Sequence, residues 1–105
     1  MITISPSHRL ILQYNINPVH YGSYYRYVLG EFVPALQQLN LHMIYAWQVF
    51  SNHLPERQVE FVCEGEHIIR HALKSDRFLR AERRLKTYTT AYRRKVVHFE
   101  NRCQV

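Results

Sequence analysis

Eight tyrosines, seven histidines, two cysteines and a single tryptophan are the side chains of this 105-residue chain with most chemistry to offer. Tyr14, Tyr25, Tyr45 and Trp47 are candidates to line a pocket for a small aromatic or apolar ligand, since such pockets combine apolar walls with a few hydroxyl or indole donors. The same residues also suit a core, with their polar tips at its rim. His67 and His71 stand one helical turn apart, a spacing that can hold a metal. The residues between them, Ile68, Ile69 and Arg70, supply no glutamate base, and no third ligand stands nearby, so they read as surface histidines. Neither a metal nor a cofactor is expected. His42 and His98 share a strand parity with Glu60 and Glu100, where imidazole and carboxylate could exchange a proton near neutral pH. A hydrogen-bonded polar patch is the plainer reading of that group. Cys63 has the parity of a core position, where apolar burial raises a thiol's pKa and quiets it. No Gly-rich phosphate loop, paired-acid motif or nucleophile–base pair occurs, and no catalytic residue is assigned.

Charge is the next signal. The chain carries +6 overall, with a pI near 9.6. Nine basic residues between Lys74 and Lys95 (Lys74, Arg77, Arg80, Arg83, Arg84, Lys86, Arg93, Arg94 and Lys95) face only Asp76 and Glu82, so this stretch is +7 and the remainder −1. Such a run is usually a solvated face, but an anion or nucleic acid could use it. Two cysteines in a chain this short suit a reducing, cytoplasmic setting better than a disulfide framework. Met1 to Pro6 lacks the basic-then-apolar order of a signal peptide. No apolar run nears the ~20 residues of a membrane span, so no membrane insertion is expected.

The elements that must position these groups follow from periodicity. His8 to Ile16 alternates as a strand, and Asn17-Pro18 can cap and open a helix. Tyr21, Tyr24, Tyr25, Val28, Phe32, Leu36 and Leu39 then recur every three or four residues, with a kink expected near Val33 because Pro34 lies inside the pattern. Leu41 to Phe50 and Arg57 to Glu64 read as strands. Glu66 to about Thr87 reads as a helix broken at Ser75-Asp76, and Tyr92 to Val105 as a long last strand. The order is βαββαβ, a ferredoxin-like α+β pattern over one domain, 1–105. Two helices cover one sheet face, which should receive Leu12, Tyr14, Met43, Trp47, Phe61 and Phe99. The open face should carry Ile11, Gln13, Ile44, Ala46, Phe50, Val62, Val96 and His98, too apolar to stay bare. RNA does not fit it, because the central strands offer no aromatic platform for bases. A second copy of the chain does, so a homodimer is expected.

The segments Phe32-Val33-Pro34-Ala35-Leu36, Leu41 to Trp47 with Tyr45-Ala46-Trp47, Glu60-Phe61 and Leu73-Lys74-Ser75-Asp76-Arg77-Phe78 resemble the NIPSNAP-like branch of the dimeric α+β barrel proteins. That superfamily also holds EthD-like proteins and small cofactor-independent monooxygenases. The resemblance runs from about Leu10 to Phe99. It implies a homodimer whose two sheets form a barrel, and an apolar cleft between sheet and helices. Three functions stay open: a small-ligand binder of undefined biochemistry, a monooxygenase or EthD-like enzyme on an aromatic compound, and an anion or nucleic-acid binder using the 74–95 face.

Overall fold

The computed structural model describes residues 7–51 and 54–98; the side chains of Tyr45, 49–51, 54 and 55 lie outside the description. Strands β1 (His8–Ile16), β2 (His42–Ser51), β3 (Leu54–Cys63) and β4 (Thr89–His98) form one sheet in the order β2-β3-β1-β4, with each neighbouring pair antiparallel. Each crossover is a helix in two pieces, which gives the ferredoxin-like βαββαβ order in an α+β fold.

Local chemistry explains each break. Asn17 accepts from the Val19 amide at 3.1 Å and opens a 3₁₀ turn at Pro18–His20, which leads into α1 (Tyr21–Tyr27). Pro34 has no N–H and its ring crowds the carbonyl four residues back. The chain widens into a π-helical turn at Val28–Phe32, so α2 (Val33–Gln38) carries the proline in its first turn. Asn40 ends α2 in the left-handed region, φ 66°. Its N–H donates to the Gln37 carbonyl at 3.0 Å, and that of Leu41 to Leu36 at 3.0 Å, which forms a Schellman motif. Ser75 separates α3 (Glu66–Lys74) from α4 (Asp76–Lys86) and caps the latter by accepting from the Phe78 amide at 3.1 Å. The expected kink and break therefore fall where the sequence puts them.

The core sits between the helices and one sheet face. Leu10, Leu12 and Tyr14 of β1 and Val59, Phe61 and Cys63 of β3 meet Tyr24, Phe32, Leu36, Ile69, Ala72, Phe78 and Leu85. Each such large apolar side chain contributes roughly 1.5–3 kcal/mol by leaving water.

The outer strands depart from simple alternation. Residues directly opposite across an antiparallel pair share a face. In β2 the pairing runs Met43↔Phe61 and then Tyr45↔Glu60, so Ile44 is an extra, bulged residue that inverts every later position. Trp47 consequently pairs with Gln58 and stands on the open face, whereas Ala46, opposite Val59, belongs to the helix side. This reverses the expected placement of both. In β4, Val96 pairs with Leu10 and His98 with His8, which puts them on the helix side, while Val97, opposite Arg9, takes the open face. A second irregularity near Ala91, φ 54°, sets that register. Both faces of β4 are similarly apolar, so the contrast that normally fixes register is weak; Tyr92 and Arg94 reaching a buried Glu82 decide it. Phe99, Glu100 and Cys103 lie outside the described residues.

Candidate functional site

The helix side of β1 and β3 ends in a cluster of phenols around one guanidinium. Tyr14 of β1 and Tyr24 of α1 are fully buried, with their hydroxyls 2.5 Å apart. The Tyr24 ring meets Tyr25 edge-on at 5.0 Å, and Tyr25 stacks on Tyr21 at 5.6 Å. Arg57 lies opposite Tyr14 in the register, donates to the Tyr25 hydroxyl, and holds its guanidinium carbon 5.4 Å from that ring centroid. Tyr14 also stacks on Tyr92 at 6.1 Å. The Tyr92 hydroxyl donates to Glu82 at 2.8 Å, and Arg94 Nε reaches the same carboxylate oxygen at 3.2 Å.

The electrostatics follow burial. Desolvation pushes Tyr14 and Tyr92 well above the ordinary phenol value and also raises Tyr24; for Tyr92 the Glu82 carboxylate adds to it, whereas Arg57 opposes the rise at Tyr14 and Tyr24. All three phenols are neutral near pH 7. Tyr14 and Tyr24 satisfy each other, so they act as core with a polar seam rather than as acid and base. Burial likewise raises Cys63, whose sulfur meets the Gly65 carbonyl at 3.5 Å.

Beside this cluster lies a cavity of about 60 Å³, lined by Ile16, Pro18, Tyr21, Gln48 and Arg57. Four elements and the 3₁₀ turn position it: the end of β1, the first turn of α1, and β2 and β3 through the facing pair Gln48↔Arg57. Of the four sequence candidates, Tyr14 and Tyr25 come together through Tyr24, behind the cavity rather than on its wall. Trp47 is on the other face of the sheet and does not join them. Tyr45 pairs with Glu60, and its side chain lies outside the described residues.

Sequence reasoning missed Arg57, Tyr21 and Glu82 as parts of this region. The signal was present for two of them. Arg57 shares the parity of Val59, Phe61 and Cys63, and Glu82 falls between Phe78 and Leu85 on one helical stripe. A charge at the parity of an apolar face marks a buried polar group that needs a partner.

The other candidates fall elsewhere. His67 and His71 line an open cavity of about 380 Å³ with Gln38, Leu39, Asn40 and Ile68. Among the described residues no three His, Cys, Asp or Glu side chains gather as a ligand set. His42 lies on β2 and His98 on β4, the two edges of the sheet, so they form no pair; the His98 ring instead meets that of His8 at 4.7 Å, tilted by 39°. Glu60 is buried on the open face, bridged to Arg9 at 3.1 Å and to Gln58 Nε2 at 2.9 Å, with Gln13 donating to Gln58 at 2.7 Å. The basic run is spread over three surfaces rather than one. Arg84 pairs with Glu31, Arg93 with Glu56 and Arg94 with Glu82. No described helix is long and apolar enough to cross a membrane.

No family model matches the chain, and no curated protein does. Its fold is found in solved structures. An uncharacterized NIPSNAP domain protein from Burkholderia xenovorans superposes with a TM-score of 0.65 at 10% identity, over 93% of this chain and 99% of that one. An ethyl tert-butyl ether D (EthD) family protein from Bacillus halodurans gives 0.65 at 6%, over 89% and 99%. A candidate antibiotic biosynthesis monooxygenase from Caulobacter crescentus gives 0.67 at 9%, over 93% and 93%. A NIPSNAP family protein of unknown function from Agrobacterium tumefaciens is similar in the same way. These are the branches of the superfamily that the sequence resembles, and the property shared at such identities is the fold.

Proposed function

We propose that this chain is a small-ligand-binding protein that works as a homodimer, with its ligand entering the sheet–helix cleft at the Tyr21–Arg57 cavity. The observation that carries the reading is the cavity itself: an aromatic wall, an aliphatic floor and two polar side chains converge there. Its volume, about 60 Å³, admits a functional group or a few waters. A cavity that encloses an aromatic ring is on the order of 150 Å³. A ring would therefore rest at the mouth, against Tyr21, which favours binding over an enzyme that encloses its aromatic substrate. The basic 74–95 face is the weaker alternative, because three of its arginines are already held by carboxylates.

Dimerisation is supported by what the helices leave uncovered. Both helical crossovers pack on one side of the sheet, and the other presents Trp47 and Val97, each 37% exposed, on either side of the Arg9–Glu60–Gln58–Gln13 network. A two-fold axis sets such a mixed patch against its own copy. A reducing cytoplasm suits the free, buried Cys63. The cleft is tested by an NMR shift screen of the labelled protein against small aromatic compounds. Saturable shifts confined to Ile16, Tyr21, Gln48 and Arg57 are expected. Shifts confined to the His67–His71 cavity or the 74–95 face would contradict the reading.

A further inference from the structure

Arg57 is the anomaly of the cleft. It stands at a core-facing parity, its Nε is shut off from solvent, and that atom has no hydrogen-bond partner among the described residues. Its one described polar contact is a neutral phenol, Tyr25. No carboxylate of the described residues forms an ion pair with it: Glu56 is held by Arg93, Glu60 by Arg9 on the other face, and Glu82 by Arg94. Arg57 is half-buried, and its guanidinium lines the cavity with no counter-charge from a described carboxylate, so an anion entering that cavity would meet an unneutralised cation.

We propose that the ligand of this cleft is a small aromatic carboxylate, with its carboxylate seated on Arg57 in the cavity and its ring against Tyr21. The inference rests on reading the cleft as a ligand site. Three features select that class. The guanidinium is a planar fork matched to a carboxylate, which it can engage with two parallel N–H donors. The cavity of about 60 Å³ suits one planar carboxylate, with Gln48 on its wall as a second polar group. Outside it, Tyr21 is 43% exposed and already stacked from behind by Tyr25 at an interplanar angle of 11°, which leaves an aromatic surface braced for a further ring.

Benzoate is the probe, titrated at constant ionic strength against labelled protein, with neutral benzyl alcohol and inorganic phosphate in parallel. Saturable shifts at Tyr21, Gln48 and Arg57 are expected with benzoate, at least about tenfold tighter than with benzyl alcohol, the range a charge-assisted pair supplies. Arg57→Gln should abolish that preference. Equal binding of benzyl alcohol and benzoate by the wild-type protein would overturn the carboxylate while leaving the cleft as a ligand site. A stronger response of Arg57 to phosphate than to benzoate would also overturn it. No shift at these residues with either aromatic probe would overturn both readings. The wild-type comparison stands by itself should Arg57→Gln fail to fold.

Discussion

At the scale of single residues, the tyrosines divide into those that hold the fold and those that meet solvent. Tyr14 and Tyr24 share one buried hydroxyl pair. Removing one hydroxyl strands the other, at about 1–3 kcal/mol, whereas removing both leaves nothing unsatisfied. Tyr14→Phe and Tyr24→Phe should each destabilise, and the double variant should cost clearly less than their sum; denaturant titration of all four proteins measures this. The phenols also set the alkaline limit. Burial raises Tyr27 from 10.0 to about 12 and raises Tyr14, Tyr24 and Tyr92 as well. A phenol whose folded pKa exceeds its unfolded value keeps its proton in the fold, so its contribution is complete below the unfolded pKa and is lost as pH climbs through the folded one. Cys63, raised from 9.0, follows the same sign. Unfolding free energy governed by these groups should hold level to about pH 8 and decline from pH 10 to 12, with a shallower decline in Tyr27→Phe.

At the scale of elements, the sequence is most legible where one mechanism decides. The Asn17-Pro18 start, the disturbance before Pro34 and the Ser75 cap each follow from a backbone donor gained or lost. The alternation of β1 and β3 is equally plain, because these central strands press one strongly apolar row on the helices. The edge strands are different. A single bulged residue, Ile44, inverts the rest of β2, and no residue type announces a bulge there. That one residue puts Trp47 on the open face and leaves the proposed site with Tyr21 and Arg57, which were read only as a helix stripe member and a strand start. The change has an optical consequence. As the only tryptophan in the sequence, Trp47 should report on the open face. Its emission should move on dilution through the dimer dissociation range and stay unchanged during a benzoate titration. A saturable benzoate-dependent shift that survives Arg57→Gln would place the ligand on the wrong side of the sheet.

At the scale of the molecule, the two faces of the sheet have separate work. The helix side encloses the core and opens at one end into the Arg57 cavity. The open side keeps Ile11, Glu60 and Val62 buried among their neighbours and leaves Trp47 and Val97 exposed, with Arg9 and Glu60 paired within the face. Such a surface suits a self-complementary interface of mixed polarity. Trp47→Glu and Val97→Glu change side chains already exposed within one chain, so both variants should fold, yet each would bury an unpaired charge if the faces meet. Sedimentation equilibrium at micromolar concentration is the direct measurement. The expected mass is near twice 12.7 kDa for the wild-type chain, falling to a folded species of 12.7 kDa in either variant. A wild-type chain that sediments at 12.7 kDa across that range, with its melting temperature independent of concentration, would contradict the division of the two faces.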